Sequence, residues 1–285
     1  MFDTVCLIGN GVLSKNCAKL LSDKHDDIRF FDANEESSWY LKKQCDGLEN
    51  VRYFWYGKKE LFSEIAAIQG RVLIISAVNP YIIPRDIVDS ERFRAINLHH
   101  SLLPLHPGRN AEAWTIFDMD RFAGITWHLI SNKVDGGDVI AQRRIELDGD
   151  ITSWKLLKLA NDLALTEFSG FLGDLLKDEL KYVGQEPAET VDGNCTLHYS
   201  YEKPNEGILD LKWSFQKMSA FLRAMDYGHA NVMGDPVIKW DGEALYIKEY
   251  RMEKAVGDIS MEEKTGEEIR IVKDGMELRL ITAES

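Results

Sequence analysis

The chain holds 285 residues, 45% of them apolar and 28% charged, with a formal charge of −13. This is an ordinary soluble composition, with core material for two modest domains or one large one. The acidic balance sets a long nucleic-acid backbone at net repulsion and favours a small-molecule partner, and the longest mostly apolar runs, such as residues 72–78, fall far short of a bilayer span.

The first 150 or so residues alternate between strand-like and helix-like patterns, which predicts a mostly parallel, Rossmann-like α/β sheet wrapped by helices. Residues 4–8 read as a strand, 12–21 as a helix, 28–31 as a second strand and 37–45 as a polar helix. Residues 51–55 form a third strand, followed by an amphipathic stretch carrying Leu61, Ile65 and Ile68. Residues 71–77 read as a continuous buried strand, Pro84 opens a short helix, and 94–99 is the next strand. Residues 111–118 look helical, while 124–130 and 138–147 look like strands. A long helix should span 153–177, because Leu156, Leu159, Leu163, Phe168, Phe171 and Leu175 keep helical spacing. The polar, turn-rich GQEPAETVDGNC, residues 184–195, then separates a first domain, 1–182, from a smaller β-rich, OB-like domain, 195–285. The second domain carries a helix near 215–225 and short strands that include 245–250 and 269–272. Residues 245–250 could also offer a strand edge to a second copy in a homodimer.

The start, MFDTVCLIGNG, runs into a strand without a basic leader, which argues against a secretory signal and for the cytoplasm. Cys6, Cys17, Cys45 and Cys195 are widely spaced and form no CxxC pair, so buried free thiols are expected rather than a zinc cluster or a disulfide frame. GNGVLS, from Gly9 to Ser14, imitates a dinucleotide fingerprint, with Asp32 closing the next strand. Ser14 stands in place of the third glycine, so two readings remain open: a cofactor loop, or a tight first strand-to-helix turn.

INLHHSLLP, residues 96–104, ends an apolar strand with an amide and two adjacent histidines. On an extended segment Asn97 and His99 share a face and His100 points away. At the carboxyl end of a sheet strand that face opens on the ligand crevice, where an amide and an imidazole could bind one developing oxyanion. A satisfied buried histidine beside a turn-capping asparagine is the plainer alternative. GITWHLISNKVDGGDVIAQ, residues 124–142, adds Thr126 and His128 on a strand, then Asp135 on a loop hinged by Gly136 and Gly137. A carboxylate so placed can orient or charge a histidine, though an Asp-Gly hairpin turn would read the same. The histidines at 99, 100, 106 and 128 with Asp135 match no metal-ligand spacing, and no metal is expected.

The two blocks together resemble the folate-dependent formyltransferase family, whose members include glycinamide-ribonucleotide, methionyl-tRNA and sugar-amine formyltransferases. Asn97, His99, Ser101 to Pro104, Gly108, Asp135 and Gly137 fall on the family's pattern. The resemblance covers roughly residues 50–180, and EGILDLKWSFQKMSAFLRAMD looks like the lead-in to the family's small C-terminal β domain. The loop LHPGRNAEAW lacks the aromatic-Arg-Gly of many members. Like GITWH and RAMDYGHAN, it is similar to stand-alone sugar-amine enzymes and to formylation domains of peptide synthetases.

The resemblance implies N10-formyltetrahydrofolate as donor and a small-molecule amine as acceptor, with a nucleotide-linked amino sugar preferred. An amino acid or hydroxylamine of a peptide natural product is the alternative, and methionyl-tRNA comes third. By the same resemblance Asn97 and His99 donate hydrogen bonds to the tetrahedral oxyanion. Asp135 sets the state of His99 and helps remove the amine proton, and His128 supports Asp135. The pteridine is expected against the backbone of residues 78–82 and 131–134, including Val78, Tyr81, Ile82, Lys133 and Val134. Ser101, Arg109 and Trp114 are the expected acceptor contacts, with Trp114 either stacking on the acceptor or lying in the core. Two readings from other classes remain: a folate- or nucleotide-binding module without catalysis, and a dinucleotide-dependent oxidoreductase using Gly9 to Ser14.

Overall fold

The computed structural model describes residues 1–188, 191–256 and 260–284. The chain divides into two compact units. One comprises Met1–Pro107, Gly124–Arg144 and Leu159–Cys195; the other comprises Gly108–Ala123, Ile145–Lys158 and Thr196–Ser285. The polar linker expected at 184–195 includes residues 189 and 190, which lie outside the described residues.

The first unit is built on strands β1 (Thr4–Gly9), β2 (Ile28–Asp32), β3 (Val51–Trp55), β4 (Val72–Ala77), β5 (Phe93–His99), β6 (Phe122–Leu129) and β7 (Val139–Glu146). They form a seven-stranded sheet in the order β3-β2-β1-β4-β5-β6-β7. Strands β1 to β5 pair in parallel, and β6 joins β5 antiparallel. The central strands β1 and β4 are buried at every position, as expected where helices cover both faces of a parallel sheet. The covering helices are α1 (Gly11–Ser22), α2 (Trp39–Asp46), α3 (Lys58–Ala67), the short α4 (Arg85–Val88) and the body of α6 (Ser153–Lys177). Alternate residues of the strands feed one core: Cys6 and Ile8, Val72 and Ile74 pack with Leu61 and Ile65 of α3. On α6, Phe168 packs 5.2 Å from the fully buried Trp127, whose indole N–H donates to the Ala164 carbonyl at 3.0 Å. Trp127 meets the Ala164–Phe171 part of α6, while Leu159, expected in the same apolar stripe, is 50% exposed.

The strand order reverses between β1 and β4, so the carboxyl ends of β1 and β4 border the crevice where such sheets take ligands, with β5 next to β4.

The second unit contains α5 (Ala111–Phe117), α7 (Phe215–Met225) and strands β8 (Ile208–Leu209), β9 (Val237–Trp240), β10 (Glu243–Lys254), β11 (Met261–Thr265), β12 (Glu268–Lys273) and β13 (Met276–Ala283). The strands make a six-stranded sheet in the order β11-β12-β13-β10-β9-β8, which is the β-rich C-terminal part expected from the sequence. Ala113 and Ile116 of α5, and Ile151 and Leu156, share one apolar cluster with Phe221, Ile238 and Leu280. Residues 108–123 and 145–158 therefore group with the C-terminal segment, and the compact units are not the two contiguous stretches that sequence texture suggests. Of residues 245–250, expected as a strand edge for a dimer contact, 245 and 246 pair with β9, while 249 and 250 pair with β13 alone among the described strands. They belong to β10, an interior strand, with β9 pairing along residues 243–246 and β13 along 246–254.

Cys6, Cys17 and Cys45 are buried free thiols, and burial pushes all three up, Cys45 to about 12. Cys195 is only half-buried. Among the described residues no helix is long and apolar enough to cross a membrane.

Candidate active site

The Gly9–Ser14 turn is structural. A Cβ at Gly9 would run into the Ala77 carbonyl and the Ser14 hydroxyl, so only glycine lets α1 start this close to β4. Ser14 Oγ lies 2.6 Å from the Ala77 carbonyl and 2.8 Å from that of Asn10, locking α1 onto the sheet. Asp32, which a dinucleotide would need for its ribose, is fully buried and already engaged. Its carboxylate accepts from Asn34 N and Nδ2 at 3.0 and 2.6 Å, Ser38 N at 2.9 Å and Tyr53 Oη at 2.5 Å. Burial and this carboxylate push the Tyr53 phenol up to about 12.

The residues of the two motif blocks do converge. Asn97 and His99 lie two apart at the end of β5, opposite His128 and Thr126 of β6 in the antiparallel register. Asp135 sits in the loop after β6 with φ 48, and Gly137 follows because a Cβ there would run into the Leu129 carbonyl. Gln185 clamps this loop from outside, donating to the carbonyls of Asp135 and Gly137 at 2.7 and 2.8 Å. The Asp135 carboxylate, with a side chain 10% exposed, thereby reaches His99 Nδ1 at 3.6 Å and His128 Nε2 at 3.5 Å. Asn97 Nδ2 lies 3.1 Å from His128 Nε2 and donates to Asp135 Oδ1 at 3.4 Å.

The hydrogen bonds fix the imidazoles. His99 Nε2 sits 2.8 Å from the His106 carbonyl, which can only accept, so Nε2 carries the proton. Burial pushes the His99 pKa below 6.5, a shift that Asp135 opposes without reversing. The neutral ring therefore presents an unprotonated Nδ1 to Asp135. His128 Nδ1 faces the Leu129 carbonyl at 2.8 Å, so its Nε2 is the acceptor for Asn97. Of the two Asn97 N–H bonds, the one to Asp135 is long and weak, and a better acceptor would take it over.

The expected folate contacts surround the same strand ends. Val78 follows β4 with φ 58, strained for a β-branched residue, and Tyr81 donates its backbone N–H to Asn79 Oδ1 at 2.9 Å. Ile82 is 69% exposed and Val134 43% exposed. Lys133 is exposed, and its backbone is held by Ser131 Oγ. Tyr81 and Ile130 pack on the same apolar cluster, and Asn132 Nδ2 donates to Asp89 at 2.7 Å, which ties the loop after β6 to the end of α4.

One expectation changes. Ser101 is not available to an acceptor: it is buried, its hydroxyl donates to the Leu105 carbonyl at 2.5 Å, and its carbonyl accepts from Thr126 Oγ1 at 2.7 Å. It holds the turn that carries the chain to His106. Trp114 belongs to the second unit and is half-buried, with one ring face stacked on His198 at 3.8 Å. Arg109, in the same unit, is exposed, and its backbone N–H donates to the His198 carbonyl at 2.9 Å. Sequence reading missed Ser76, Asn79 and Gln185. A hydroxyl closing the buried run VLIISA was the one available signal, because a buried hydroxyl needs a partner. Among the described residues, no group of three or more His, Cys, Asp or Glu side chains could hold a metal ion.

Comparison with known proteins bears on this arrangement. The formyl transferase family pattern matches residues 14–167, more than half of the chain, and includes Asn97, His99 and Asp135. The chain belongs to the formyl transferase family. Among curated formyltransferases, the GDP-perosamine N-formyltransferase of Brucella melitensis is 27% identical over 188 residues, covering 66% of this chain and 68% of that protein. The methionyl-tRNA formyltransferase of Bacillus mycoides is 24% identical over 212 residues, covering 73% of this chain and 65% of that protein. The fold is that of the N-formyltransferase of Helicobacter canadensis, solved with folinic acid and dTDP-3-aminofucose. The TM-score is 0.71 at 15% identity, over 99% of this chain and 100% of that one. The sugar 3-N-formyltransferase WlaRD gives 0.72 at 16% identity, over 100% and 99%.

Proposed function

We propose that this formyltransferase moves the formyl group of N10-formyltetrahydrofolate to the amine of a nucleotide-linked amino sugar. The observation that carries the reading is the convergence of an oriented amide, a neutral buried imidazole and a carboxylate at one strand end. The acceptor class is supported by the relatives whose names give GDP- and dTDP-linked sugars. A formal charge of −13 weighs against tRNA. The buried thiols suit a reducing compartment, and we place the reaction in the cytoplasm.

The strand ends fit a flat, partly apolar donor. Exposed Ile82 and Val134 offer apolar surface, and the strained turn at Val78 and the loop at Lys133 offer backbone groups. The bound donor supplies an activated formyl carbon, on whose oxygen negative charge develops as the amine attacks. Asn97 meets that charge with the N–H now loosely held by Asp135. The bare Nδ1 of His99 accepts the amine proton. The imidazolium so formed faces the Asp135 carboxylate; as the tetrahedral intermediate collapses, the bond from the formyl carbon to N10 breaks and the imidazolium gives its new proton to the departing N10. His128 keeps Asn97 and Asp135 in register from the neighbouring strand. Arg109 and Trp114 are assigned to the acceptor.

The test is tetrahydrofolate release from N10-formyltetrahydrofolate, with nucleotide-linked 3- and 4-amino sugars as acceptors. Turnover with one of them, lost in His99→Asn, is the expected result. No turnover across the panel, with donor binding intact, would refute the acceptor and point to amino acids and hydroxylamines.

A further inference from the structure

Asn97 works as an oxyanion donor only if its amide nitrogen, and not its amide oxygen, faces the reacting centre. The two orientations are almost the same shape, so packing alone does not choose between them. A chain of hydrogen bonds from the preceding strand does. It starts at the backbone N–H of Tyr81, which can only donate and donates to Asn79 Oδ1 at 2.9 Å. That fixes the Asn79 amide with its nitrogen outward, donating to the Tyr81 carbonyl at 3.0 Å and to Ser76 Oγ at 3.2 Å. With its oxygen accepting from Asn79, the Ser76 hydroxyl sends its hydrogen to Asn97 Oδ1 at 2.7 Å. Asn97 Nδ2 is then left to face His128 and Asp135.

We propose that Ser76, held by Asn79, is the positioning residue that fixes the orientation of the Asn97 amide. The chain runs one way, because its first donor is a peptide N–H. Reversing Asn97 would set its oxygen against the Asp135 carboxylate, so that two acceptors faced each other. It would also leave the hydroxyl hydrogen of Ser76 without its acceptor, at a site where Ser76 is 3% exposed. The left-handed Val78 between Ser76 and Asn79 belongs to the same device, since its turn is what brings the Asn79 amide back over Ser76.

The inference rests on Asn97 being the oxyanion donor, and the experiment separates the two. Turnover is measured for the full-length protein, Ser76→Ala, Asn97→Ala and the double variant. In Ser76→Ala, kcat should fall about tenfold, the size of one lost net hydrogen bond, with both KM values unchanged. In the Asn97→Ala background the same change should have no further effect. An equal drop in both backgrounds would make Ser76 merely structural and overturn the proposal, as would wild-type kcat in Ser76→Ala. Ser76→Thr and Ser76→Val have equal volume, so higher turnover in Thr isolates the hydroxyl even if Ala packs badly. Equal turnover in the two overturns the proposal. Activity is not the only readout: the side-chain amide signal of isotope-labelled Asn97, assigned by its loss in Asn97→Ala, should exchange faster with water in Ser76→Ala. If wild type shows no formyl transfer, the reaction is wrong, while an unchanged amide signal would show that the orienting chain is wrong.

Discussion

Replacing Asp135 with asparagine changes charge with little change of shape, and it isolates what the carboxylate does for His99. Asparagine tolerates the left-handed backbone at this position, where φ is 48. Gln185 grips the loop through main-chain carbonyls, so the substitution leaves that clamp in place. What disappears is the attraction between the carboxylate and the imidazolium that forms when His99 takes the amine proton. At 3.6 Å, with an effective dielectric constant of about 20 for two nearly buried groups, that attraction is about 4.6 kcal/mol. A fully formed imidazolium at the transition state would lose all of it, and a half-transferred proton about half. The expected fall in kcat therefore lies between about 50-fold and about 2,000-fold. The amide introduced by Asp135→Asn could also donate to Nδ1 and block the base, which acts in the same direction. Tetrahydrofolate release at saturating donor and acceptor reads kcat, and thermal unfolding should stay near wild type. A kcat within threefold of wild type would refute the assignment of His99 and Asp135 as the proton-accepting pair.

Burial holds His99 below its ordinary 6.5, so its ring signal should show it less than half protonated at pH 6.5. The unfolded chain binds more of that proton than the native one, so stability should decline as pH falls below 6.5; a ring more than half charged at that pH would contradict the assignment. Gly137→Ala drives a Cβ into the Leu129 carbonyl, on a strand end whose N–H is bonded to Asp138 O at 2.9 Å. The displaced Asp135 loop should cost about 10² in kcat, and unchanged turnover would mean that the loop absorbs the shift freely. In the second unit, Arg270 and Arg279 hold the Glu277 carboxyl down at about 2. A depressed carboxyl stabilises the fold above its unfolded value of 4.5 and loses that effect as pH falls toward about 2. Glu277→Gln should therefore flatten the fall in Tm across that window, and an unchanged acid profile would show that the pair does not stabilise the unit. Arg109→Ala and Trp114→Ala should raise the acceptor KM about tenfold and leave the donor KM alone; a change confined to the donor would reverse the assignment.

Much of this was legible in the chain because the α/β unit uses simple periods. Residues 71–77 read as a buried strand because both faces of β4 are covered, and 153–177 read as one helix because most of its apolar residues keep helical spacing, Phe168 and Phe171 packing on Trp127. The convergence of Asn97, His99 and Asp135 was legible because a strand end and a glycine-hinged loop place them in short, ordered blocks. The grouping of residues 108–123 and 145–158 with the C-terminal sheet was not legible, since their apolar residues look the same whichever core takes them. Which strands lie beside residues 245–250 was not legible for a related reason: a strand pattern says which face is apolar and nothing about its neighbours.

What escaped the sequence inside the site is of another kind. Ser76 and Asn97 are 21 positions apart and meet only because β4 and β5 pair in a parallel register that sets them side by side. No spacing rule links such a pair. The tautomer of His99 depends on one carbonyl, that of His106, delivered by a turn that Ser101 closes. Ser101 illustrates the distinction well. It stands in the motif beside Asn97 and His99, and motif membership suggested contact with the acceptor. Its buried hydroxyl instead builds the turn that decides which His99 nitrogen is protonated. A motif thus records which residues the chemistry requires together. Whether each touches the substrate or aims another that does is settled by where its hydrogen bonds go, and those are set in three dimensions.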